Sequence, residues 1–318
     1  MLRRSVVRHS GKLMLAAALV CSSLVHAAFN APATSAQANI VVKDFADREL
    51  TLSKPVEKVI TLAAGDAQIV AALGGKVVGR PNTSNKTLPK EVLDAPVIGS
   101  GHAPNYEKIT SLKPELVIAS KSLNIKDIKA LEATGALVYV ASSESVNEIK
   151  ENVLKIGQLL GKTEKAKATV NAMDIKLQIA GKVNKDNPKK ALIVYGAPGT
   201  LLAALPSSLP GDLLTRAGGK NVAAQFPKLD KMSGYAQLSA ERVIAADPDI
   251  ILLITHGDPE AVQKAFNEEI SKNAAWSSMT AVKNENIVVL PSHLFGTNPG
   301  TKIADALNVL ATHLKQAE

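Results

Sequence analysis

The chain has 318 residues, with 37 basic against 29 acidic side chains (net charge +8), 46% hydrophobic residues, 3% aromatic residues and a single cysteine. One cysteine excludes a disulfide framework, and basic residues spread along the chain without clusters do not support nucleic-acid binding. With so few rings the core must be aliphatic, and the length suits two lobes of ordinary domain size.

The N-terminus reads as a secretion signal. Arg3, Arg4, Arg8 and Lys12 precede an apolar run from Leu13 to Val20 that is too short to span a membrane, and Val25-His26-Ala27 offers a small-x-small cleavage site. Cys21 raises lipidation as a second reading, against which bulky Val20 sits where a small residue is expected. Cleavage after Ala27 removes the only cysteine and four basic residues, leaving 33 basic against 29 acidic, a net charge of +4.

Residues 29–38 are small and polar, a disordered start. Ile40 to Leu52 alternates as a short strand pair, and Val59-Ile60-Thr61-Leu62 reads as a buried strand. Helical spacing follows over Asp66 to Leu73, stopped by Gly74-Gly75. Val77 to Gly79 and Pro96 to Gly99 read as strands, the latter leading into Ser100-Gly101-His102-Ala103-Pro104. A helix carrying Glu107, a strand Leu116–Ala119, a helix Ile125–Thr134 and a strand Leu137–Val140 continue the alternation, which argues for parallel α/β units. Residues 145–183 contain no proline and keep helical spacing through Ile149, Val153, Ile156, Leu159, Val170, Met173, Leu177 and Ile179. Gly161 divides them, so the second helix runs long, from Thr163 to about Val183, and needs packing against both lobes to persist. Beyond Asp186-Asn187-Pro188 come a strand Ala191–Tyr195, a Gly/Pro loop and a helix Gly211–Ala217 ended by Gly218-Gly219.

Two stretches are near-copies. Glu107-Lys-Ile, four residues, Pro114-Glu-Leu-Val-Ile118 is matched by Glu241-Arg-Val, four residues, Pro248-Asp-Ile-Ile-Leu252. A repeat this far apart is one architectural unit used twice. His102 precedes the first copy and His256 follows the second.

The segments N-Y-E-K-I-T-S-L-K-P-E-L-V-I-A (105–119), A-G-G-K-N-V (217–222) and L-S-A-E-R-V-I-A-A-D-P-D-I-I-L-L (238–253), with the single long helix, make nearly the whole mature chain resemble the class III periplasmic binding proteins. These are the siderophore, vitamin B12 and haem receptors of ABC importers. The resemblance implies an α/β fold of two similar Rossmann-like lobes joined by one long connecting helix, with a ligand cleft between them. The layout is then a signal peptide at 1–27, a disordered start at 28–38, an N-terminal lobe at 39–162, a connecting helix at 163–187 and a C-terminal lobe at 188–318. Gly99-Ser-Gly-His-Ala-Pro104, Thr255-His-Gly-Asp-Pro-Glu260 and Leu294-Phe-Gly296 look most like the haem-binding, iron-regulated-surface-determinant type. Relatives of that type carry methionine where this chain has His102, so the resemblance implies a bis-histidine or histidine-plus-other binder. It also implies a monomer on the outer face of the cytoplasmic membrane or in the periplasm, handing haem to a permease dimer. Glu107 and Glu241, one per lobe, would meet permease arginines. A first-turn glutamate favoured by the helix dipole is the competing reading of each.

In open α/β sheets ligands bind beyond the carboxyl ends of strands. His102 and His256 both follow predicted strands, and neutral imidazole is a good ligand for haem iron. They are the expected axial pair, with Gly101 and Gly257 letting backbone approach a flat ligand. His293, after Ile287–Leu290, is a third candidate metal ligand; His313 on the C-terminal helix reads as structural or solvated. Tyr106 and Phe295, with Tyr195 and Tyr235, are candidate pocket rings, core packing being the alternative. Met232 and Met279 are candidate soft ligands, and Arg80, Lys121 and Lys228 candidate propionate partners, each also explained as packing or solvated charge. Haem is the expected transported ligand. Cobalamin or a ferric siderophore on the same fold, or bare zinc held by His102, His256 and His293, are the alternatives. No Gly-x-Ser-x-Gly elbow or phosphate loop occurs, so no enzyme is expected.

Overall fold

Continuous apolar runs specify the two sheets. In a computed structural model, which describes residues 39–181, 188–197, 199–256, 258–272, 274–296 and 298–317, the N-terminal half holds a hairpin, β1 (Ile40–Lys43) and β2 (Glu49–Leu52). It then forms a parallel sheet of β3 (Lys58–Thr61), β4 (Lys76–Gly79), β5 (Leu116–Ser120) and β6 (Leu137–Ala141), in the order β4-β3-β5-β6. The C-terminal half supplies β7 (Lys190–Ala197), β8 (Thr200–Ala204), β9 (Lys220–Asn221), β10 (Tyr235–Gln237), β11 (Ile250–Thr255) and β12 (Ile287–Val289). Their order is β10-β8-β7-β11-β12, with β9 on the lower half of β7. The expected signal, Cys21, the small-residue start through Ala38, Val183 and Gly257 lie outside the described residues. Among the described residues no helix is long and apolar enough to cross a membrane.

Side chains alternate across each sheet, and that alternation builds three aliphatic layers. Val59, Leu116, Ile118 and Tyr139 face one way, while Ile60, Val117, Ala119 and Val138 face the other. Ala191, Ile193, Ile250, Leu252 and Ile254 join the first set in one shared core, while Leu192, Val194, Ile251 and Leu253 form an outer layer with Phe266 and Trp276. Both lobes thus close on a common middle.

Two helices fill it. Val146–Leu159 starts at Ser145, whose side chain accepts from Glu148 N, and buries Ile149, Val153 and Ile156. Gly161, at φ 64°, turns the chain into Thr163–Ala180. This connecting helix packs on Val146–Leu159 from the N-terminal lobe and on Ile303–Gln316 from the C-terminal lobe, as expected. Ala166, Val170, Met173 and Ala180 are its buried face. Ile179, expected in that stripe, is 65% exposed, and Ile175 is 61% exposed. The buried residues lie at steps of four, three and seven along one narrow stripe, and Ile175 and Ile179 sit off it.

The duplicated sequence is a duplicated solution to one structural problem. Helices Tyr106–Leu112 and Ala240–Ala246 are each capped by a side chain, Asn105 on Lys108 N and Ser239 on Arg242 N. Each stops in a left-handed non-glycine residue, Lys113 (φ 47°) and Asp247 (φ 43°). A proline follows, then an acidic residue that clamps the start of the neighbouring strand. Glu115 N donates to Lys58 O (2.9 Å) and Asp249 N to Lys190 O (2.7 Å). In return Lys58 N donates to the Glu115 carboxylate (3.1 Å) and Lys190 N to that of Asp249 (2.7 Å).

Three expectations are corrected. The Gly/Pro loop after β7 contains β8, which folds back antiparallel on β7 through Gly199 (φ 73°); the apolar run Leu201–Ala204 after a Pro-Gly pair was the available signal. The helix over Ile125–Thr134 is broken into a 3-10 turn, Ile125–Asp127, and a short helix, Ile128–Glu132. Pro96–Gly99 makes only single bridges, Arg80 with Val97 and Gly99 with Pro104.

A polar tie crosses the shared core. Asp66, buried in the first turn of helix Ala64–Ala72, accepts on Oδ1 from Asn152 Nδ2 (3.1 Å) and from Asn298 Nδ2 (3.3 Å). Tyr139 donates its hydroxyl to Asn152 (2.7 Å). Gln68 donates to Thr301 Oγ1 (2.7 Å) and accepts from Thr301 N (2.8 Å). Gly65 lies so close that a Cβ there would sit 2.1 Å from Asn298 O. Burial pushes the Asp66 carboxyl up to about 7, against the opposing hydrogen bond from Asn152. The folded state therefore holds this proton to higher pH than the unfolded chain. The associated stability is complete below about pH 4 and is lost as pH rises through about 7, at most about 4 kcal/mol. Asp66→Asn keeps the Oδ1 acceptor and has no charge to bury. Denaturant unfolding should show it more stable than wild type at about pH 8 by a few kcal/mol, with the fall between about pH 4 and 7 flattened; an unaltered pH profile would contradict a buried, proton-holding Asp66.

Candidate functional site

His256 is placed by the strand that precedes it. The six residues of β11 are all buried, and the ladder with β7 continues one step beyond the strand, His256 N donating to Gly196 O (2.8 Å). The half-buried imidazole therefore stands at the carboxyl ends of β7 and β11. Its Nδ1 lies 3.3 Å from Gly296 O. A carbonyl only accepts, so this contact is a hydrogen bond in the tautomer with the proton on Nδ1, the one that leaves the Nε2 lone pair free. Tyr195 lies beside it, ring centroids 5.9 Å apart at 35°, and Tyr235 packs tilted against Tyr195 at 5.2 Å and 55°. Burial raises the pKa of both phenols, and for Tyr235 the Tyr195 phenol and the Glu144 carboxylate add to it. Both stay protonated at neutral pH, so this wall is aromatic and uncharged.

His102 stands on the other lobe, exposed at the tip of a turn. Ser100 and Ala103 exchange backbone hydrogen bonds of 3.2 Å each, and Ala103 N also donates to Ser100 Oγ (3.1 Å). Gly101 backs onto the chain leaving β3: a Cβ there would lie 2.7 Å from Leu62 O, so no larger residue fits. On its far side Gly101 O accepts from Asn124 Nδ2 (2.9 Å). Half-buried Tyr106 packs on the outer N-terminal layer. Its phenol pKa is raised by burial first, and then by the charge and hydrogen bond of Asp127.

The carboxyl ends of both sheets are linked by one segment. Gly296 contacts His256, Asn298 and Thr301 hold helix Ala64–Ala72, and that helix follows Leu62, against which Gly101 rests. Among the described residues no contact joins His102 to His256 directly, and no three His, Cys, Asp or Glu side chains converge as a metal cluster.

The other candidates are dispersed. Phe295 is only 8% exposed and belongs to the shared core with Leu294; what the Leu-Phe-Gly pattern contributes near His256 is the Gly296 carbonyl. His293 is half-buried on the short helix Ser292–Phe295, and His313 is half-buried on Ile303–Gln316, its pKa lowered by burial. Met279 is in the outer C-terminal core and Met232 is exposed. Arg80 donates to Leu93 O and Pro81 O, while Lys121 and Lys228 are exposed. Glu107 and Glu241 are exposed in the first turns of the two repeated helices. An open groove lined by Ile40, Val41, Gln158 and Lys162 includes none of the sequence-predicted site residues. Sequence reasoning missed Asn124 and the Gly296 carbonyl, which act through contacts 23 and 40 residues away.

The family model described as "Periplasmic binding protein" matches residues 59–294. The "High-affinity heme uptake system protein IsdE" of Staphylococcus aureus is 33% identical over 242 residues, covering 74% of this chain and 79% of that protein. A crystal structure of an ABC transporter substrate-binding protein from Listeria monocytogenes EGD-e superposes with a TM-score of 0.72 at 28% identity, covering 83% of this chain and 100% of its own. The S. aureus IsdE structure complexed with heme gives 0.70 at 27% identity, covering 81% of this chain and 98% of its own. Relatives of this kind bind substrates for transport rather than transform them. By the family match and the 33% identity, the chain belongs to the periplasmic binding protein family.

Proposed function

We propose that this protein captures haem outside the cytoplasmic membrane and delivers it, as a monomer, to the permease dimer of an ABC importer. The observation that carries this reading is His256. It stands at the carboxyl end of β11 with its Nδ1 occupied by a backbone carbonyl, which leaves Nε2 as a donor for iron. The similarity to a heme uptake protein, and to its heme complex, supports the choice of cargo. His102 is the axial partner from the opposite lobe, and Tyr195 and Tyr235 supply a neutral aromatic wall beside the ring system. The rest of the macrocycle is held by burial, worth about 25 cal/mol per Å² of apolar surface removed from water. Export follows from the basic, then apolar, N-terminal segment, with lipidation at Cys21 as the alternative tether.

No bond in the cargo is made or broken. The chain's part is to hold two neutral imidazole nitrogens in place, exclude water from the ring faces and release the load on docking. Haemin added to purified protein should give a sharpened Soret band, and His102→Ala and His256→Ala should each change that spectrum; two unchanged spectra would remove the pair as ligands. Protons compete with iron for the imidazole nitrogen. Haemin affinity should therefore fall in acid, whereas an affinity unaffected by acid would contradict histidine ligation.

Glu107 and Glu241 dock the two lobes on the permease, each as a carboxylate paired with a guanidinium. Their exposure, and their equivalent places in the repeated helices, support this. Glu107→Arg and Glu241→Arg should each lower uptake about tenfold or more in permease-containing proteoliposomes while leaving the haemin spectrum intact; wild-type uptake by both would refute the docking role.

A further inference from the structure

Asn124 is wholly buried, although it ends the short helix Lys121–Asn124, whose first residue is an exposed lysine, beyond β5. Its Oδ1 accepts from Ser120 N (3.1 Å), and its Nδ2 donates to Gly101 O (2.9 Å) and to Asp127 Oδ2 (3.0 Å). A backbone N–H only donates, and a carbonyl or carboxylate only accepts, so these three partners fix the amide in one orientation. Gly101 is the residue before His102, and it is held from both sides, by the Asn124 amide and by close approach to Leu62 O. The exposed imidazole thus stands on a turn whose base is pinned by one buried side chain.

We propose that Asn124 is the positioning residue for His102, fixing the turn in the conformation that presents the imidazole to the cargo iron. This rests on the reading of His102 as an iron ligand given above. Groups that orient a metal ligand typically change affinity about tenfold to a hundredfold when removed. Asn124→Asp keeps the size and turns an acceptor towards the Gly101 carbonyl and the Asp127 carboxylate; Asn124→Ala removes the amide without adding charge.

The test is haemin titration with absorption spectra on the full mature chain. The set is wild type, Asn124→Asp, Asn124→Ala, His102→Ala and the two double variants, each checked for folding by circular dichroism. Both Asn124 variants should weaken haemin binding about tenfold and move the spectrum towards that of His102→Ala. In the His102→Ala background the same changes should add less than about twofold, because residues acting as one unit are not additive. Wild-type spectra and affinities in a folded Asn124 variant, or effects that multiply in the double variants, overturn the inference while leaving the site reading intact. A wild type that takes up no haemin, or a His102→Ala spectrum identical to wild type, overturns the site reading and this inference with it.

Discussion

The arrangement of the two lobes depends on the polar tie between helix Ala64–Ala72 and the segment 298–301. The shared aliphatic core holds the lobes together, but apolar burial is non-directional and sets no register between them. Hydrogen bonds do. Asp66 with Asn298, and Gln68 with Thr301, join groups more than 230 residues apart at donor–acceptor distances from 2.7 to 3.3 Å. Gly65 leaves no room for a side chain at the crossing. The same stretch of chain orients His256 through Gly296 at one end and grips the N-terminal lobe at the other. A shift in the tie therefore moves a candidate ligand and the lobe facing it together.

That coupling suits a protein whose task is capture and handover. The connecting helix is packed on helices from both lobes, which favours small displacements about a stiff strut over wide opening. Each lobe then contributes a preset element. The C-terminal lobe supplies an imidazole whose tautomer is set by a carbonyl. The N-terminal lobe supplies an imidazole on a turn clamped at its base. Side chains placed in advance spare a binding step the cost of ordering them.

The sequence revealed what depends on local pattern. Continuous aliphatic runs marked β3, β5, β7 and β11, and the proline-free stretch with Gly161 marked two helices. The repeated segments were legible because both halves use the same cap, the same left-handed stop and the same acidic clamp, each requiring particular residues at particular spacings. What escaped was set by distant partners. Nothing local to Asn124 announces that its amide will meet Gly101, and Leu294-Phe295-Gly296 drew attention to a ring that packs in the core while the group it brings to His256 is a backbone oxygen. β8 was hidden by the proline and glycine that precede it in the sequence. Ile179 was assigned to a buried face by spacing alone, which does not register how narrow the contact stripe of a two-sided connector is.

The central claim is that His102 and His256, one from each lobe, grip one iron from opposite faces. A crystal structure of the haemin-loaded protein tests it most directly. The account predicts the iron between the lobes, with His256 Nε2 and a nitrogen of His102 bonded on its two sides and Gly296 O still paired with His256 Nδ1. Haemin bound on an outer surface, or iron ligated by neither histidine, would contradict it.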